Sequence, residues 1–236
     1  LIKEALQYIA GLNKEGTLVD VGERKYSIGH LEAIKPPKTE TIKIATLEGL
    51  CEWIKTSQAT HKERTIRLHI ESHTRVNVIS ALQSNWKGYN AYAMCDCSEF
   101  LSSFRFGDDY DPEQFLIGLH TSFEPTAHRA LLTKVASSCT KDSEIKTEDD
   151  GMTQTTTVGN AIKTKETMPN PVLLKPYRTF AEVAQPESPF VFRIHDGRSG
   201  PEMALYEADC GKWKLEAIKS IQKYLDTNTS NIAIFY

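Results

Sequence analysis

Ile2, Ala5, Leu6 and Ile9 recur at helical spacing and Gly11 follows them, so the chain predicts a short amphipathic helix at its start. Residues 13–40 show no sustained period and read as irregular, with Pro36-Pro37 forcing extended backbone ahead of Thr41–Ala45. Thr46 then stands as an N-cap before Leu47, Leu50, Cys51 and Ile54, one face of a helix. Alternation takes over at Ile66, Leu68 and Ile70, and again at Val76 and Val78. Two half-buried strands joined near Ser72-His73 are predicted, with a third at Tyr89–Cys97. Asp111-Pro112-Glu113-Gln114 combines an N-cap, a first-turn proline and a capping-box glutamine, and predicts a helix through Phe123. The alternation of Phe115, Ile117, Leu119 and Phe123 leaves a strand as the alternative. Thr126, or a residue beside it, starts a further helix carrying Leu131, Leu132 and Val135.

Polar residues dominate from Thr140 to Gly151, a stretch that can divide two lobes, and Asp150-Gly151 reads as a turn. The Thr-rich runs Met152–Val158 and Asn160–Thr167 flank Gly159 and predict a polar hairpin. Pro169, Pro171, Pro176, Pro186 and Pro189 then impose an extended crossover with few ladder bonds. Val172, Leu173, Leu174, Tyr177, Phe180 and Val183 in that crossover need a core to lie against. Arg178 among them is expected to tie down carbonyls or a carboxylate such as Glu182, a ligand contact being the alternative. Phe190–His195 and Met203–Ala208 predict a hairpin closed by Asp196-Gly197 through Gly200-Pro201. Trp213, Ala217, Ile218, Ile221, Tyr224 and Leu225 stripe a helix, and Asn231–Tyr236 is a terminal strand. The expected class is α+β, with mixed or antiparallel sheets, several packed helices and the Pro-rich crossover. Residues 1–40 would form a helix and irregular arm, and residues 41–236 the core.

Composition narrows the functional classes. With 236 residues, 40% of them hydrophobic, the chain can bury a substantial core. A net charge of -3, from 28 basic and 31 acidic residues, provides no global attraction to nucleic acid or anionic membranes, so only a local basic patch would serve. Cys51, Cys95, Cys97, Cys139 and Cys210 are odd in number and scattered, which fits free thiols in a reducing compartment. No apolar run approaches the roughly 18 residues that span a bilayer, and no signal pattern opens the chain at Leu1. A cytoplasmic protein with no membrane partner is expected.

Candidate chemistry is sparse. His69 and His73 are four apart across a strand end, without the one-face helical geometry of a zinc pair. Cys95 and Cys97 share a strand face but have no second pair to close a site. Asp108, Asp109 and Asp111 adjoin a helix cap, and Glu148, Asp149 and Asp150 precede a turn, roles that need no metal. Asp209-Cys210-Gly211-Lys212-Trp213-Lys214 starts a helix without any phosphate-loop spacing, so solvated lysines are expected there. No nucleophile signature appears, and the sequence assigns no catalytic residue, metal or cofactor. Aromatic and basic residues interleave, as a single-strand binder needs, around Trp86-Lys87-Gly88-Tyr89 and Tyr177-Arg178-Thr179-Phe180.

Asp149-Asp150-Gly151-Met152-Thr153-Gln154, Pro169-Asn170-Pro171-Val172, Leu174-Lys175-Pro176-Tyr177-Arg178-Thr179-Phe180, Glu182-Val183, Gln185-Pro186-Glu187-Ser188-Pro189-Phe190-Val191-Phe192-Arg193 and Glu207-Ala208-Asp209 together resemble the phage and prophage family called YfdQ. Thr46–Leu50 and the stretch from Phe104 through Phe106-Gly107 to Phe123 are similar too, so the resemblance runs from about residue 40 to the end. Cys210 departs from the pattern, standing where a second glycine is expected. The resemblance implies a phage or prophage origin and carries over no catalytic residue. The first expectation is a non-enzymatic protein acting by homo-oligomeric assembly or by binding a phage or host protein. One alternative is an accessory of phage DNA metabolism or recombination, touching single strands through Trp86, Lys87, Tyr177 and Arg178. Another is a metal-dependent nuclease or hydrolase using Asp108, Asp109, Asp149 and Asp150.

Overall fold

The structure is a computed structural model and describes residues 4, 18–21, 24–27, 40–60, 66–81, 89–139, 145–149, 153–158, 166–197, 200–229 and 231–236. The expected N-terminal helix lies outside the described residues except for Glu4. Among the described residues the class is α+β, and no helix is long and apolar enough to cross a membrane.

The central sheet runs β13-β4-β5-β6-β3, with β3 at Ile42–Ile44, β4 at Ile66–Ser72, β5 at Arg75–Ser80, β6 at Ala91–Asp96 and β13 at Ala233–Phe235. The three middle strands pair antiparallel, while β3 and β13 join parallel on the two edges. Two helices cover one face: α1 (Leu47–Thr60) and α4 (Trp213–Asn228). Thr46 caps α1 as expected, its Oγ1 accepting from Gly49 N at 3.2 Å. The apolar face Leu47, Leu50, Cys51 and Ile54 meets Leu68, Ile70, Val76, Val78, Ala93 and Cys95 from the sheet and Ile221 and Leu225 from α4. Truncating any of these leucines to alanine would cost about 3 kcal/mol.

A second core forms between a three-stranded antiparallel sheet and two more helices. The sheet order is β10-β11-β12, with β10 at Val172–Leu174, β11 at Ser188–Gly197 and β12 at Gly200–Glu207. Helix α2 (Pro112–Ser122) packs on β12, and α3 (Ala127–Ser138) packs on β10. Asp111 accepts from Gln114 N at 2.8 Å with Pro112 in the first turn, and Thr126 accepts from Arg129 N at 3.1 Å. These caps decide for a helix where the alternation of Phe115 to Phe123 allowed a strand. Phe115, Leu119 and Phe123 then fill the core with Phe190, Phe192 and Met203.

Two expectations are corrected. Leu18–Val21 (β1) and Arg24–Ser27 (β2) are not irregular but pair antiparallel, Val21 opposite Arg24. The polar stretch before residue 151 contains β7 (Ile145–Asp149), which pairs with β8 (Thr153–Val158) and through it with β9 (Glu166–Pro169). Of the expected arm Asn160–Thr167, Glu166 and Thr167 lie in β9, and the remainder lies outside the described residues. Cys139 and Val172, on either side of that stretch, belong to the same core. The chain passes between cores through the crossover, which places Val172 and Leu174 in the second core and Phe180 and Val183 in the first.

Candidate functional site

Between the two cores lies a crevice of about 140 Å³. Its walls are His73 from the β4–β5 turn, Leu101, Ser102, Phe104 and Phe106 ahead of α2, Ser122 at the end of α2, Pro176, Tyr177 and Arg178 from the crossover, and Trp213 at the start of α4. The extended crossover can run here without a sheet because its polar groups find partners locally. Gln185 is its internal brace: Oε1 accepts from Arg178 N at 2.9 Å and Thr179 N at 3.3 Å, and Nε2 donates to Phe180 O at 3.1 Å and Val183 O at 3.4 Å. Thr179 Oγ1 donates to His73 O at 2.5 Å, and Glu182 Oε1 accepts from Glu48 N at 3.2 Å, so both ends of the brace are tied to the central sheet domain.

Arg178 is 7% exposed and lies at the centre of these contacts. Its Nη1 donates to Glu207 Oε1 at 2.5 Å and its Nη2 to Ser188 Oγ at 2.5 Å, while Nε is buried without an acceptor. The carboxylate partner is Glu207, not the Glu182 suggested by proximity in sequence. The guanidinium stacks on Trp213, Cζ standing 3.7 Å from a ring centroid, and Trp213 Nε1 donates at 3.1 Å to the same Glu207 oxygen. Burial pushes the Arg178 pKa down to about 10, against Glu207 and Asp209, which pull it up. The group remains charged at neutral pH. Burial also lowers the pKa of His73, and Lys214 and Arg178 add to the effect. His73 sits edge-on to Trp213 with centroids 4.7 Å apart.

The remaining signature residues are structural in placement. Pro171 follows a cis peptide bond, and Pro176 makes a β-bridge with Phe123. Phe180 and Phe190 are fully buried in separate cores, Pro186 is buried, and Arg193 is half-buried on β11. Asp209 accepts from Gly211 N at 3.0 Å and Trp213 N at 3.2 Å, closing the turn into α4. Cys210, where a second glycine was expected, takes φ +53° and Gly211 φ +76°, so the backbone keeps the left-handed geometry that the glycine would have eased. Gln154 lies on β8 opposite Asp149 and Met168. Asp150, Gly151, Trp86 and Lys87 lie outside the described residues. Leu173 and Tyr177, expected in the core, are each 40% exposed. For Leu173 the cause is the strand alternation of β10, whose other two residues point inward.

These facts limit the chemistry. Liquid water occupies about 30 Å³ per molecule, and ligand pockets usually exceed about 300 Å³, so the crevice suits a few waters and not a nucleotide-sized cofactor. Ser102 and Ser122 share a short hydroxyl hydrogen bond, and Phe104 N donates to Ser102 Oγ at 3.0 Å. Among the described residues no hydrogen bond joins the His73 ring to either serine. His69 lies on the opposite face of the central sheet from the helices, stacked on Phe235 with centroids 4.8 Å apart. The two histidines therefore serve different surroundings. Burial raises the Cys95 and Cys97 thiols to about 12 and Cys139 to about 11, which makes them packing groups and not nucleophiles.

Asp108 and Asp109 precede the α2 cap without sharing its hydrogen bond, which belongs to Asp111. The fold brings Asp109 to His195 and Glu202, a cluster that the sequence did not reveal. Only the pairing of distant strands could have indicated it. No family model, curated protein or solved structure matches this chain.

Proposed function

We propose that this is a phage- or prophage-encoded, non-enzymatic protein of the bacterial cytoplasm that acts by closed self-assembly through the outer edge of β13. The observation that carries this reading is the character of that strand. It is an outermost strand of the central sheet, with Phe235 41% and Tyr236 57% exposed. Ile232 and Ile234 pack against the first core, so the strand is anchored while no strand among the described residues pairs with its outer edge. Twofold pairing of β13 with a second copy closes both edges at once. Pairing of β13 with β3 of a neighbour is heterologous and closes only where its rotation completes a ring. The YfdQ resemblance supports the phage origin, and the small volume of the crevice, with Arg178 paired to Glu207 and Ser188, supports a non-enzymatic role. Light scattering coupled to size exclusion at low micromolar concentration tests the reading: twice the 26.6 kDa chain mass is expected, and the mass of one chain would overturn it.

A second reading is single-strand binding, favoured by the open face of the central sheet. Arg67, His69 and Phe235 share that face, with His69 and Phe235 stacked and Arg67 exposed. Stacked rings flanked by a cation are what base stacking uses. Anisotropy of a labelled single-stranded oligonucleotide at low and high salt tests it, with salt-sensitive binding expected and absence of binding removing it.

A further inference from the structure

Asp109, His195 and Glu202 come from two chain segments and are brought together by backbone pairing. His195 and Glu202 are direct cross-strand partners in the β11–β12 hairpin. Tyr110 and Met203 exchange both backbone hydrogen bonds, at 2.9 and 2.8 Å, which holds Asp109 beside Glu202. Glu202 folds its carboxylate over Gly197, where a Cβ would collide with it. A rigid ladder and an open glycine thus direct three donor side chains to one point.

The separations distinguish between two explanations. His195 Nε2 lies 3.7 Å from Asp109 Oδ1 and 3.6 Å from Glu202 Oε2, with all three donor atoms within 4.8 Å of one another. Hydrogen bonds from the imidazole would be near 2.9 Å. Atoms that share a tetrahedral zinc at about 2.0–2.2 Å stand about 3.3–3.6 Å apart, and the two imidazole separations lie at or just beyond the upper end of that range. We propose that Asp109, His195 and Glu202 bind one divalent transition-metal ion, with solvent completing its coordination.

The imidazole sets this cluster apart from a solvated group of carboxylates. One nitrogen and two carboxylate oxygens suit zinc, manganese or cobalt, whereas magnesium and calcium prefer oxygen alone. Asp109 and His195 are exposed, so the outer coordination positions face solvent, as in sites that retain a water. Bound there, the ion would clamp the segment before α2 to the hairpin. This inference is independent of the assembly reading.

Zinc chloride titrated calorimetrically into the full chain tests it, in a Cys210→Ser background because an exposed thiol can compete for zinc. One zinc per chain is expected, with affinity at least tenfold weaker in His195→Ala. Gly197→Ala should also weaken binding, because the added methyl displaces the flexible end of Glu202 and not the backbone. Cobalt should give visible absorption bands that His195→Ala removes. Glu202→Gln repeats the comparison should His195→Ala melt differently in chelator. No stoichiometric binding, or affinity unchanged by all three substitutions, would overturn the assignment.

Discussion

The Arg178 guanidinium lies over the Trp213 ring, Cζ 3.7 Å from a centroid, and both side chains donate to Glu207 Oε1, so one acidic oxygen joins the crossover to the start of α4. A lysine could supply the charge here but not the planar stack with two separate donors. The pair sits where the two cores meet, and Arg178 also approaches the Phe106 and Phe190 rings of the second core at 5.9 and 5.6 Å.

Removing that cation leaves Glu207 and Ser188 without their donor. Arg178→Ala should lower unfolding free energy by about 3 kcal/mol, and Arg178→Lys by a smaller but measurable amount. Denaturant titration checks both. Unchanged stability in Arg178→Ala, with loss of a binding activity, would reassign Arg178 to a functional site.

His73 predicts the sign of an acid response. Its pKa is depressed in the fold by burial first and by Lys214 and Arg178 next, so the unfolded chain binds the proton more readily. Stability from this group is present above the ordinary value of 6.5 and is lost as pH falls through the lower folded value. The slope cannot exceed about 1.4 kcal/mol per pH unit for one proton. Melting curves from pH 7 downward should fall less steeply in His73→Gln; equal slopes would contradict the assignment.

The turn into α4 offers paired substitutions of opposite sign. Asp209→Ala removes the acceptor of two amides and should cost about 1 kcal/mol. Cys210→Gly relieves a left-handed backbone and should stabilise the fold by about 0.5–1 kcal/mol. Both effects are read from denaturant midpoints, and destabilisation by Cys210→Gly would contradict the turn geometry.

Burial also separates the thiols. Cys51, Cys95, Cys97 and Cys139 are buried and Cys210 is exposed. A thiol reagent should label one cysteine rapidly in the native protein and the other four only on unfolding. Rapid labelling of Cys95 or Cys97 would contradict the central core.

Local chemistry made much of this fold legible. The caps at Thr46, Asp111 and Thr126 and the stripe from Trp213 to Leu225 each specify an element through contacts within a few residues. The alternation of Leu68 and Ile70 against Arg67 and His69 does the same for a strand with one buried face. Ile145–Asp149 escaped because a strand with one strongly apolar residue is defined by its partner, Thr153–Val158, and not by its own pattern. Arg178 stands out in the sequence as a cation among apolar residues, yet its partner Glu207 is 29 residues away and reaches it only through the β11–β12 hairpin. The meeting of Asp109 with His195 and Glu202 depends on the Tyr110–Met203 bridge, which leaves no periodic trace.

Native mass measurement of the full chain, with and without single-stranded DNA, and of Phe235→Lys alongside it, tests assembly through β13 most directly. A lysine at an exposed sheet edge disfavours strand addition while sparing the core. The account predicts twice the 26.6 kDa chain mass for the natural sequence, one chain mass for Phe235→Lys, and no mass increase with DNA. A single-chain mass for the natural sequence, or a dimer that Phe235→Lys leaves intact, would contradict it.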